Sequence, residues 1–146
     1  MADQLAGLYV IATVSGQRIA FDAATVASVV DLGTIVPVPM TPESVLGLSP
    51  LRSNILTVID LGGALGQPLE HHSRRAVTMA IDDHHYAFVV ASVEQVEPII
   101  EGVQPVDASV GSDWVSAASG RIQTESGMAL LMDPRRLVGL PAEMMQ

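Results

Sequence analysis

The sequence contains no cysteine and no lysine. Without Cys there are no disulfides, no thiolate metal sites and no cysteine nucleophile. Without Lys there is no phosphate-binding P-loop, whose glycine-rich turn ends in that residue. Aromatic side chains are scarce, with 1 Trp, 2 Tyr and 2 Phe, so any core must be built from Val, Ile, Leu, Ala and Met. All 7 basic residues are Arg, set against 16 acidic ones for a net charge of −9, and scattered cations in an acidic whole give no face for phosphates. A nucleic-acid partner is therefore excluded. No apolar run approaches the roughly 18 residues of a membrane-spanning helix. The first run, Leu8–Val14, has no basic segment before it and no cleavage site after it, so neither export nor membrane insertion is expected and the chain reads as cytoplasmic. With 146 residues, 49% of them hydrophobic, it suffices for one compact domain or two very small ones sharing an interface.

What is present is a repeat. An offset of 67 residues lays Tyr9–Val30 on Ala76–Glu97, matching Val10 with Val77, Ala20 with Ala87, Phe21 with Phe88, Val26 with Val93 and Val29 with Val96. An offset of 73 lays Asn54–Asp60 on Gly127–Asp133 and Gly66-Gln67-Pro68 on Gly139-Leu140-Pro141. Two blocks in the same order, with matching Asp and Gly-x-Pro endings, point to a duplicated unit of about 60 residues. The change of offset puts six extra residues in the second copy, between Glu97 and Gly127.

Each copy opens with an apolar strand, a polar turn and a second strand: Leu8–Val14 and Arg18–Phe21, then Val77–Ile81 and Tyr86–Val90. A short segment follows, Ala23–Val30 or Ser92–Glu97, whose length leaves a helical turn and a strand lip equally open. Each copy closes with a dense apolar strand, Ile55–Ile59 or Met128–Met132, then an Asp and a short helix. Such short β-branched strands predict a mainly β protein of two small barrels over 8–68 and 76–141, joined through Leu69–Arg75. A strand exchanged between them would leave no trace in the sequence. Pro37, Pro39, Pro42, Pro50, Pro98 and Pro105 read as loops and edge segments, since Pro cannot donate to a ladder.

The closing block Gly47-Leu48-Ser49-Pro50-Leu51-Arg52-Ser53-Asn54-Ile55-Leu56-Thr57-Val58-Ile59-Asp60-Leu61 resembles the signature of the CheW-like family: a Gly, an Asn-Leu-Arg-Gly stretch, an apolar strand and Asp-Leu. The resemblance runs from Tyr9 to Pro141. It implies two intertwined five-stranded SH3-like barrels and a non-catalytic adaptor that couples methyl-accepting chemoreceptor tips to the regulatory domain of the histidine kinase CheA. It implies no cofactor and no metal. The chain departs from the family pattern at Pro50, Ser53 and Thr57, and at Ser28, where the family is often acidic. These changes permit an alternative, a diverged scaffold or inhibitor serving a different signalling complex.

The resemblance nominates Arg52, Val26 and Gly47 as receptor- or kinase-binding residues, and Val29 is a further candidate beside them. Arg52 offers a planar fork of donors to a carboxylate or to carbonyls of a docked helix; read from spacing alone, an internal brace between barrels is the stronger reading, and the resemblance brings the two level. Val26 and Gly47 match positions that line the receptor groove, whereas the repeat of both valines makes core the stronger reading for Val29. Other polar residues have plainer roles. Adjacent His71-His72 and His84-His85 cannot converge on a metal from one strand and read as solvated surface. Asp60 and Asp133 sit where helix N-caps belong. Trp114, in the inserted segment, reads as a loop anchor. No Gly-x-Ser-x-Gly elbow is present.

Overall fold

Alternation of side chains along strands buried on both faces sets the architecture. In the computed structural model, residues 7–41, 44–65, 73–106 and 112–138 are described. The chain runs β1 (Leu8–Val14), β2 (Gln17–Asp22), a 3-10 turn (Ala23–Thr25), β3 (Ser28–Asp31), β4 (Val45–Leu51), β5 (Asn54–Asp60), α1 (Leu61–Ala64), β6 (Arg75–Ile81), β7 (His84–Val89), β8 (Ser92–Pro98), α2 (Ser112–Ala117), β9 (Ala118–Thr124) and β10 (Gly127–Met132). A last helix, α3, spans 134–138. The segment after β2 is thus a 3-10 turn followed by a strand, and its counterpart is the strand β8.

Two five-stranded sheets form, in the orders β8-β1-β2-β10-β9 and β3-β6-β7-β5-β4. The orders are identical once each strand is replaced by its copy in the repeat, and each sheet draws strands from both sequence halves. The match holds to the residue. Val58 pairs with Ala87 in the parallel β5–β7 ladder, and Leu131 with Ala20 in the parallel β10–β2 ladder. Val29 pairs with Val77 and Val96 with Val10. One bulge recurs as well, where Val45 and Gly47 face Ile59 and Val58, and where Ala118 and Gly120 face Met132 and Leu131.

Each sheet curls until the chain leaving one edge reaches the other: Val36 bridges to Leu48 in one unit, and in the other Gln104 bridges to Arg121 while Ile100 N donates to the Gln123 carbonyl oxygen. The units are therefore partly open SH3-like barrels. Five of the six additional residues of the second copy lie between Gln104 and Ala118, where α2 stands.

Three apolar clusters follow from the two-faced strands. Ile11, Ala20, Ile122 and Ala129 fill the first barrel, and Leu56, Val58, Ala76, Ala87 and Val89 the second. The largest cluster lies between them and joins the outer faces of β1, β2, β6 and β7. At its centre Phe21 stacks on Phe88, its own copy, with ring centroids 6.1 Å apart, so the repeat is related by a local two-fold through this contact. Trp114 is buried in the same cluster, as its reading as an anchor required. The edge positions of β4 and β8 explain how Pro50 and Pro98 lie within strands.

Candidate protein-docking site

The β4–β5 hairpin turns through Arg52-Ser53, with Leu51 opposite Asn54. Arg52 is held at φ 57, a left-handed conformation that costs a residue other than glycine on the order of 1 kcal/mol. The equivalent turn of the other barrel carries no positive φ before Gly127, so the fold does not impose this on every copy. Arg52 is exposed, and among the described residues its guanidinium has no hydrogen-bond or ion-pair partner. The brace reading is therefore corrected: no carbonyl of the described fold is bonded by this side chain.

Beneath Arg52 a cleft of about 210 Å³ opens into the end of the second barrel. Its walls come from Ala27, Ser28 and Val30 on one side, Leu51, Asn54 and Leu56 on the other, and Thr78, Ala80 and His85 between them. Ser28 Oγ and Thr78 Oγ1 share a hydrogen bond of 2.6 Å there. Among the described residues, no acidic one lines the cleft.

The nominated residues are brought together only in part. Val26 ends the 3-10 turn and packs, half-buried, on the central cluster, next to the cleft residues Ala27 and Ser28. Val29 points outward from β3 and is 36% exposed, so its core assignment does not hold: β3 is short, and its side chains alternate between the barrel interior and solvent. Gly47 lies elsewhere, beneath the bridge that closes the barrel. Its φ is +141, and a Cβ there would stand 2.1 Å from the Val36 carbonyl oxygen, so the position has no room for a side chain.

Sequence reasoning missed Ser28, Thr78 and His85 as lining residues. The register of the repeat contained the signal, because these positions correspond to barrel-interior positions in the other copy. His85 is half-buried in the cleft, while His84 is exposed with Nδ1 3.2 Å from the Asp82 carbonyl oxygen. His71 and His72 lie outside the described residues, and no cluster of potential metal ligands occurs among those described. The Asp residues act as caps: Asp60 accepts from Gly63 N and Asp133 from Arg135 N, each at 3.0 Å.

Apolar side chains also stand out from this hairpin and from the segment bridged to it. Ile55 is 58% and Val36 56% exposed, and Leu48 and Pro50 accompany them on the outer surface. A second cleft, of about 280 Å³, lies between the barrels beside Thr25, Met79 and Pro134. Arg135 bridges its rim with two hydrogen bonds to Asp82, 2.8 and 2.9 Å, which hold the Asp82 carboxyl below its ordinary range.

Residues 8–141 match the family of CheW-like domains. The chain belongs to the CheW-like family. Among CheW-like proteins, it is similar to the chemotaxis protein CheW of Thermotoga maritima, 24% identical over 140 residues that cover 94% of this chain and 92% of that protein. Its fold is that of the scaffolding protein TtCheW from Thermoanaerobacter tengcongensis, with a TM-score of 0.76, 24% identity, and coverage of 87% of this chain and 84% of that one. The fold is thus that of a CheW-like protein, and no helix among the described residues is long and apolar enough to cross a membrane.

Proposed function

We propose that the chain is a non-catalytic chemotaxis adaptor, coupling methyl-accepting chemoreceptor tips to the histidine kinase CheA at cytoplasmic receptor arrays. The observation that carries this reading is Arg52: exposed, set in a costly backbone conformation, and above a cleft; among the described residues it is unpartnered and no carboxylate fills that cleft. Such a guanidinium contributes little to the fold and is available to another protein. The apolar surface of Val36, Leu48, Pro50 and Ile55 supports the same reading, since fully desolvated contacts need apolar area around a polar anchor. The barrel ends and edges act as contact surfaces, and signal passes as a change of contact without bond chemistry.

Co-sedimentation with receptor-containing membranes, with and without CheA, tests the proposal. Recovery of the chain in the pellet with receptors, increased when CheA is added, is the expected result; absence from the pellet under both conditions refutes it. A diverged scaffold of another signalling complex is the second reading, favoured by Pro50, Ser53 and Ser28. It predicts no enrichment with these two partners.

A further inference from the structure

The two barrels are copies of one design, yet one mouth is sealed and the other stands open. In the first barrel, Arg18 from β2 lies across the opening. Its Nη1 donates to the Ser126 carbonyl oxygen at 2.6 Å and its Nη2 to Ser126 Oγ at 2.5 Å, while Glu97 faces it at 3.6 Å. The Ser126 hydroxyl donates in turn to Glu97. The register of the repeat places His85 where Arg18 stands, Val30 where Glu97 stands, and Ser53 where Ser126 stands. At the second mouth the inner cation, the carboxylate and the bond between them are missing, and the 210 Å³ cleft takes their place.

We infer that this open mouth is a socket for a carboxylate side chain, an Asp or Glu that a partner protein inserts beneath Arg52. The inference rests on Arg52 as the docking residue of the proposed adaptor and adds what it grips. Complementarity selects the ligand: the rim offers the Arg52 guanidinium and the Asn54 amide, and no competing acid lines it among the described residues. Size selects its source. The cleft is smaller than the roughly 300 Å³ at which pockets for small organic ligands begin, and suits one side chain. Val30, Leu51 and Leu56 supply apolar wall for a methylene stem. The sealed barrel shows the same chemistry satisfied from within, a guanidinium and a carboxylate closing one opening.

Glutarate serves as the probe, with its uncharged diamide as control, followed by amide and Arg Nε–Hε shifts in the full chain. Glutarate is expected to shift Arg52, Ser28 and Asn54 in a saturable way at concentrations on the order of millimolar, and the diamide at least tenfold less. Arg52→Gln should abolish the response. Transplanting the seal with Val30→Glu and His85→Arg should do the same from inside the mouth, and both variants should lose co-sedimentation with receptors and CheA. Equal shifts with the diamide, or an undiminished response in Arg52→Gln, overturn the socket. If the transplanted pair fails to fold, Arg52→Gln decides alone. A glutarate response in a protein that never co-sediments removes the adaptor reading and leaves the socket standing. A glutarate response with co-sedimentation intact in Arg52→Gln removes the partner-borne carboxylate.

Discussion

The mouth of the first barrel and the mouth of the second are built from corresponding strands, in the same order and register, and differ in what a few interior side chains do. The first carries Arg18, Glu97 and Ser126 bonded to one another; the second carries His85, Val30 and Ser53 around an open cleft. The backbone is common property, and the difference lies in side chains that local propensity does not constrain. A duplicated fold can thus keep one copy as a closed structural unit and leave the other available for contact. The same division shows at the hairpin turns, where Arg52 is in the left-handed region and Glu125, its counterpart, is not.

The largest effect is expected where both copies rely on a close backbone approach. Gly47 and Gly120 occupy the same bulge, each beneath the chain that closes its barrel. A Cβ at Gly47 would meet the Val36 backbone at 2.1 Å with φ at +141, whereas one at Gly120 would meet the Val103 side chain at 2.3 Å and the Gln104 carbonyl oxygen at 2.8 Å. A side chain can move aside more cheaply than backbone. Gly47→Ala should therefore cost roughly 3 kcal/mol or more, and Gly120→Ala about 1–2 kcal/mol, read as shifts of the urea midpoint at constant slope. Equal losses would remove the distinction drawn between the two closures.

Next comes the seal. The Ser126 hydroxyl holds the Glu97 carboxyl below its ordinary value of 4.5, against the opposing effect of burial, with weaker help from Gln95 and Thr124. A depressed carboxylate stabilises the fold above its unfolded value and loses that contribution as pH falls through its folded value. Stability should therefore drop on acidification below about pH 4.5, and Glu97→Gln should remove part of that drop while lowering stability at pH 7. Asp82, depressed by Arg135, contributes in the same direction but in both proteins, so the difference between wild type and variant isolates Glu97. Thermal midpoints at pH 7, 4 and 3 provide the check, and parallel curves would show that the seal carries no pH dependence.

The sequence made the repeat readable because core positions keep their type: Val10 with Val77, Phe21 with Phe88 and Asp60 with Asp133 are matched by size or charge, and packing enforces that match. The strand composition of each sheet was not readable, since a strand has the same alternating pattern whichever half of the chain it pairs with. Arg52 was visible through the family signature, but its surroundings were not. Ser28, Thr78 and His85 are polar residues at interior positions, and they acquire meaning only when laid on Val30, Leu56 and the filled mouth of the other barrel. Val29 misled because an apolar residue repeated at the same place suggests a core, yet both Val29 and Val96 lie on outward faces, 36% and 53% exposed. Repetition preserved the surface as faithfully as the interior.

The smallest effect on stability is expected at Arg52. Its guanidinium bonds nothing in the described fold, and Ala would experience the same left-handed backbone, so Arg52→Ala should unfold within about 1 kcal/mol of wild type. The substitution should instead register in co-sedimentation with receptors and CheA, because the cost of removing a guanidinium falls on the partner group left without it. Arg18→Ala gives the reverse profile: it leaves Glu97 buried without its cation, lowers the thermal midpoint, and spares co-sedimentation. Two arginines at the mouths of sibling barrels are thereby separated by one pair of measurements. An Arg52→Ala protein that loses its fold as Arg18→Ala does would make both arginines braces, and the open mouth would lose its claim to a partner.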